Sequence, residues 1–212
     1  MPYQSTPPKF PPAENATEDG VLAMGGDLSP ERLIMAYQSG IFPWYNEGEP
    51  IIWYSPDPRM VLFPKQLNVS RSMQRVLKKE MFTVTYNQHF EEVITNCKTI
   101  HREGQSGTWI TDDMLKAYVK LHKIGVAKSV EVWKDQELVG GIYGIDLGTV
   151  FCGESMFSKV SNASKVAFIS LVQQLEKDNY KLLDCQVYND HLASLGAEEI
   201  PRETFLEYLP VL

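Results

Sequence analysis

The sequence predicts a mixed α/β (α+β) fold, in which a small N-terminal module precedes a larger domain with a mixed, mostly antiparallel sheet. Three observations carry this. From residue 126 to 154, short apolar-rich runs are separated by Lys134-Asp135-Gln136 and Leu147-Gly148, as expected of an antiparallel meander. A helical pattern over 163–177 then leads into a strand at 181–187, and a crossover of that length makes this strand parallel to its neighbour. Before residue 64, prolines interleave with aromatic residues in a way that excludes a long helix.

Taken in order, residues 1–20 read as an extended, Pro-punctuated arm. Leu28-Ser29-Pro30-Glu31 then starts a helix. Ser29 is placed to cap its free N–H groups, Pro30 suits the first turn, Leu33, Ile34 and Tyr37 supply an apolar face, and Gly40 ends it. From 41 to 64, Pro43, Pro50, Pro56, Pro58 and Pro64 alternate with Phe42, Trp44, Tyr45, Trp53 and Tyr54. This closes the N-terminal module at 1–64 and leaves 65–212 to the larger domain.

That domain opens with a helix over 70–80, where Met73, Val76 and Leu77 share one face and Arg71, Arg75, Lys78 and Lys79 the other. A strand over 82–86 and a helix over 90–98 follow. Met114, Leu115, Tyr118, Leu121 and His122 recur at helical spacing over 112–123. The meander strands are 129–133, 138–145 and 149–154. In the crossover helix Val166, Ile169, Leu171, Val172 and Leu175 are apolar. After the strand at 181–187 come a short helix over 190–195, a strand over 198–200 and a last helical turn over 203–209.

Composition bounds the function. With 43% hydrophobic and 22% charged residues the 212-residue chain can bury a core. No run approaches the ~20 apolar residues of a membrane span, and the first twenty residues are polar where a signal peptide needs an apolar stretch, so a cytoplasmic address is expected. Three cysteines without a Cys-x-x-Cys pair argue against a disulfide framework or structural zinc. A net charge of −7 speaks, by itself, against a nucleic-acid partner.

The sequence contains no P-loop, His-Glu-x-x-His, Gly-x-Ser-x-Gly or Gly-x-Gly-x-x-Gly, so the common hydrolase and nucleotide chemistries have no motif support. Cys152 or Cys185 could be drawn together with His191 and Asp184 as a thiol hydrolase, but packing of a small residue within a strand accounts better for both cysteines. His89, His101, His122 and His191 have no ligand spacing. More informative is Leu182-Leu183-Asp184-Cys185-Gln186-Val187. In this buried strand the i, i+2 spacing sends Asp184 and Gln186 from one face, and polar groups so deep have either a hydrogen-bond network or a task. Glu154, in Phe151-Cys152-Gly153-Glu154, poses the same question at a strand end. Trp44 and Trp109 sit in loop contexts where an aromatic ring either anchors the loop or stands open for stacking.

Several long motifs resemble one family. They are GGDLSPERLIMAYQSGIFPWY (25–45), WYSPDPRMVL (53–62), GTWIT (107–111), AKSVEVW (127–133), LVGGIYG (138–144), FCGESMFS (151–158), NASKVA (162–167) and LLDCQVYNDHLASLGAEEIPR (182–202). From about residue 10 onward the chain is similar to the leucyl/phenylalanyl-tRNA-protein transferases. That resemblance implies an acetyltransferase-like (GNAT-type) domain behind the N-terminal module. It also implies transfer of Leu or Phe, or of Met, from aminoacyl-tRNA to proteins with N-terminal Lys or Arg, in N-end-rule degradation. Such aminolysis of an ester needs no ATP, metal or redox cofactor. The partners implied are aminoacyl-tRNA and the acceptor proteins, with no membrane, and a monomer is expected.

The resemblance assigns catalysis to Asp184 and Gln186. The Gln186 oxygen, polarised by Asp184, accepts a hydrogen from the attacking amine, and Asp184 can counter its charge. Glu154 would hold a cationic amino group, of donor or acceptor, and Trp44 and Trp109 would stack the terminal adenine. An apolar pocket for Leu or Phe is assigned to Ile142, Phe151 and Phe168. The basic residues Arg71, Arg75, Lys78 and Lys79 are a candidate surface for acceptor-stem phosphates, which reconciles a tRNA partner with the acidic balance.

Two departures accompany the match. The chain ends at Leu212, where some family members continue into a further tail, and the loop Gly104-Gln105-Ser106-Gly107 is slightly longer than usual. Two other readings stay open: a small-molecule N-acyltransferase, opposed by Ser158-Lys159-Val160-Ser161-Asn162-Ala163 lacking pyrophosphate-loop glycines, and a non-catalytic adaptor for basic N-termini.

Overall fold

The computed structural model describes residues 9–100 and 109–210. His101 and the 104–107 loop lie outside them. A three-stranded antiparallel sheet in the order β1-β3-β2 is formed by Val21–Met24, Phe42–Pro43 and Ile52–Tyr54. Helix α1 (Pro30–Gln38) packs beside it. Pro30 occupies the first turn as expected, but the Ser29 side chain makes no capping bond; Asp27 Oδ1 instead accepts from the Ser29 N–H at 2.9 Å. Gly40 ends the helix at φ +75°, with Leu206 filling the space a Cβ would need.

The main sheet has seven strands in the order β10-β4-β9-β8-β7-β6-β5. They are β4 (Arg59–Leu62), β5 (Thr83–Tyr86), β6 (Ala127–Lys134), β7 (Glu137–Asp146), β8 (Val150–Ser158), β9 (Leu182–Gln186) and β10 (Glu198–Ile200). Only β8 and β9 pair parallel, across the crossover helix α5 (Ala163–Lys177). The turn between β6 and β7 places Asp135 and Gln136 at φ +51° and +65°, the conformation a tight hairpin requires. Strand β4 precedes residue 64 in the chain, yet it is a member of the main sheet, paired between β9 and β10.

Two apolar layers cover this sheet. On one face α3 (Phe90–Thr99), α4 (Asp112–Lys123) and α1 contribute Phe90, Val93, Met114, Tyr118 and Leu33. On the other, α5 contributes Val166, Ile169 and Val172, joined by Met73 of α2 (Arg71–Lys78). The Ser70 hydroxyl caps α2 by accepting from the Met73 N–H, and its basic residues are exposed. Two short helices, α6 (Asp190–Ser194) and α7 (Arg202–Leu206), flank β10. No helix among the described residues is long and apolar enough to cross a membrane.

Candidate active site

Strands β8 and β9 pair only at Val150–Leu182, Phe151–Leu183 and Cys152–Asp184. Beyond that point β8 runs on to Ser158 without β9, and a cavity of about 500 Å³ opens between their carboxyl ends. Open α/β sheets bind ligands in such a crevice, because the splayed strands expose side chains and backbone that the ladder would otherwise occupy.

Two β-bulges shape the opening. In β8, Tyr143 pairs with Ser155 and Gly144 with Gly153, so Glu154 is the extra residue. Side-chain parity switches there: Cys152 faces the layer of α3 and α4, whereas Met156 packs on the layer of α5. In β9, Met60 pairs with Gln186 and Val61 with Asp184, leaving Cys185 extra and Gln186 at φ +66°. The bulges bring two polar side chains from neighbouring strands together, with Gln186 Nε2 donating to Glu154 Oε1 at 2.9 Å.

Glu154 is surrounded by further hydroxyls. Tyr37 Oη of α1 bonds its Oε1 at 2.7 Å, Tyr118 Oη of α4 bonds its Oε2 at 3.1 Å, and the two tyrosine hydroxyls bond each other. Both tyrosines are buried, and Glu154 is part-buried and lines the cavity. Burial pushes its carboxyl up to about 8, outweighing the hydrogen bonds from Tyr37 and Tyr118.

Asp184 is wholly buried and held by Arg59 of β4. Arg59 Nε and Nη2 donate to its two oxygens at 2.8 and 2.7 Å, and Nη1 donates to the Gly40 carbonyl at 3.1 Å. The guanidinium lies between the Phe42 and Phe205 rings, 4.9 and 4.6 Å from their centroids. Asp184 Oδ1 also accepts from the Gln186 backbone N–H at 2.9 Å. Asp184 therefore positions Gln186 through the main chain, and its charge is already matched. This differs from the sequence expectation of direct side-chain polarisation and a free counter-charge, because Arg59 lies 125 positions away and shows no pairing signal in the sequence.

The profile described as leucyl/phenylalanyl-tRNA protein transferase matches residues 61–210, and that of the N-terminal domain of these proteins matches 26–57. The chain belongs to the leucyl/phenylalanyl-tRNA protein transferase family. Its relative of that name from Flavobacterium johnsoniae is 68% identical over 200 residues, which is 94% of either chain. The one from Escherichia coli O81 is 54% identical over 202 residues, 94% of this chain and 85% of that one. Solved structures it resembles include a GCN5-related N-acetyltransferase from Kribbella flavida, at 12% identity and a TM-score of 0.40 over 80% of this chain and 60% of that one. Another is L-PGS from Bacillus licheniformis, at 14% identity and 0.44 over 86% of this chain and 62% of that one.

The cavity of this leucyl/phenylalanyl-tRNA protein transferase family member gathers most residues singled out in the sequence. Ile142 and Phe168 line it with Leu183, and Trp44, 43% exposed, and Trp109 line it as well. Phe151 is not on the wall. It shares the α5 layer with Ile142, Phe168 and Leu183, but it lies in the part of β8 still paired with β9, opposite Leu183 and packed beside Gly144, short of the point where the strands separate. Arg71, Arg75, Lys78 and Lys79 lie on the exposed side of α2 and are not cavity residues.

The thiol-hydrolase grouping is only partly assembled. Cys185, Asp184 and His191 border the cavity while Cys152 is buried, and burial pushes both thiols up, away from the nucleophilic thiolate. Sequence reading missed Arg59, and it took Tyr37 and Tyr118 for apolar face residues. Two tyrosines on otherwise aliphatic helix faces are the signal that could have found them.

Proposed function

We propose that the chain moves Leu or Phe, or Met, from the 3′ end of aminoacyl-tRNA to the α-amino group of proteins beginning with Lys or Arg. The observation that carries this is the cavity itself, whose wall sets the Gln186 carboxamide beside the apolar side chains of Ile142, Phe168 and Leu183. In Gln186 the amide nitrogen is spent on Glu154, while the amide oxygen makes no hydrogen bond among the described residues. An acceptor with no partner among the described residues, on a wall that also holds Ile142 and Phe168, suits an amine hydrogen beside an apolar side chain.

In this reading the Leu or Phe side chain of the donor fills the chamber and the adenine stacks at Trp44 and Trp109. The acceptor's neutral amine attacks the ester carbonyl while its N–H bonds to Gln186 Oε1. A C–N bond forms, the bond from the carbonyl carbon to the ribose oxygen breaks, and the proton lost by nitrogen ends on that oxygen. The ester is already activated, so the protein supplies alignment, which is worth several kcal/mol of barrier. Asp184 and Arg59 hold the strand end that carries Gln186. The exposed cations Arg71, Arg75, Lys78 and Lys79 bind acceptor-stem phosphates, and the enzyme acts as a cytoplasmic monomer.

The small-molecule acyltransferase reading is weakened at the start of α5. There Ser158 Oγ accepts from the Ser164 N–H at 3.2 Å and donates to the Val160 carbonyl at 2.8 Å, occupying a donor that a pyrophosphate would need. A crystal structure with a non-hydrolysable amide analogue of phenylalanyl-adenosine tests the assignment. The ring is expected against Ile142 and Phe168 with the adenine on Trp44; density elsewhere overturns it.

A further inference from the structure

Glu154, Tyr37 and Tyr118 form a closed triangle of three oxygen–oxygen contacts: each tyrosine with one carboxyl oxygen, and the tyrosines with each other. Every such contact needs one hydrogen between its oxygens. Two hydroxyls bring two hydrogens, so with Glu154 ionised one contact is left with lone pair facing lone pair. A proton on Glu154 supplies the third. Oε1 already accepts from Gln186 Nε2, which places the proton on Oε2. The ring then closes in one sense: Glu154 Oε2–H to Tyr118, Tyr118 to Tyr37, and Tyr37 to Glu154 Oε1.

We infer that Glu154 is a neutral carboxylic acid in the resting site, and that the cavity beside Gln186 therefore receives the attacking amine uncharged. This deepens the proposed function and rests on it for the identity of the amine, but not for the state of Glu154. The other groups facing Glu154 agree. Asp184 of β9 is matched by Arg59 of β4, Cys152 is buried as a thiol, and Gln186 is neutral. Among the described residues that line the cavity, no unmatched carboxylate then remains to favour an ammonium ion, the form that cannot attack. Burial, which raises the carboxyl to about 8, acts in the same direction. The expectation that Glu154 holds a cationic amino group is replaced by a role in orienting Gln186. Tyr37 and Tyr118 become positioning residues that act through Glu154.

Infrared spectroscopy of the whole protein tests this without any substrate. At neutral pH the wild type is expected to show a carboxylic-acid C=O band that vanishes on titration through about 8 and is missing from Glu154→Gln. No such band in the wild type at neutral pH overturns the inference. Titration of the wild-type band requires no variant to fold. In transfer assays, the wild-type rate divided by the Glu154→Gln rate is expected to fall about tenfold per pH unit once the carboxyl ionises, since this ratio cancels titration of the acceptor amine. A flat ratio overturns the inference. If the wild type transfers nothing while the band is present, the proposed function fails and the neutral carboxyl stands.

Discussion

Replacing Arg59 by Met exposes how the fold holds its catalytic strand. Arg59 is 1% exposed and its partner Asp184 0%, so neither charge has solvent to fall back on. The substitution removes two charge-assisted bonds of 2.8 and 2.7 Å and one to the Gly40 carbonyl, while Met can still pack between Phe42 and Phe205. What remains is an unmatched carboxylate in the core, for which about 3–5 kcal/mol of destabilisation is expected. For a chain of this size that is a fall in Tm of roughly 6–20 °C. Urea unfolding followed by circular dichroism measures it, provided wild type, Arg59→Met, Asp184→Leu and the double variant are compared. Because an apolar pair replaces a buried ion pair at little cost, the double variant is expected to be more stable than Arg59→Met alone. A loss below ~1 kcal/mol for Arg59→Met, or strict additivity in the double variant, refutes the argument.

Other predictions concern the site and its approaches. Glu154 has a folded-state carboxyl raised from 4.5 to about 8, so its contribution to stability is present below 4.5 and is lost as pH rises toward 8. The wild type should lose stability relative to Glu154→Gln by up to about 1.4 kcal/mol per pH unit across that range, less where cavity water screens the charge, as measured by denaturation at several pH values. Trp44→Ala should weaken binding of an aminoacyl-adenosine donor by ~1–3 kcal/mol, the worth of one stacked base, read as a higher KM. Arg71→Glu with Arg75→Glu should weaken binding of whole tRNA more than of aminoacyl-adenosine. It should also flatten the salt dependence by about 0.9 in log–log slope for each duplex phosphate that is no longer neutralised.

Regular elements were legible where period and capping agreed. The helices at 112–123 and 163–177 are read from apolar spacing alone, and the parallel pairing of β8 and β9 follows from the crossover between them. The site was legible in part. Asp184 and Gln186 stand out as polar residues in an apolar strand, but the bulge at Cys185 cannot be read from a two-residue alternation, and it decides where Gln186 points. The same blindness ended β8 at Glu154, four residues before Ser158, because the extra residue there shifts the parity, while Phe151 was put on the pocket wall because the sequence does not show where β8 and β9 part. Arg59 stayed hidden inside a Pro-rich stretch, where nothing local announces a strand or a buried partner across the sheet. Ser29 illustrates a milder failure: its sequence context fits a cap, and Asp27 holds the turn instead.

Aminoacyl transfer by this site is tested most directly by following labelled Leu or Phe from charged tRNA to a peptide beginning with Arg or Lys, run beside the Gln186→Ala variant. Labelled peptide is expected with the wild type, and a large loss of kcat in the variant at little change in tRNA affinity. No labelled peptide from the folded wild-type protein, or an undiminished kcat in Gln186→Ala, contradicts it.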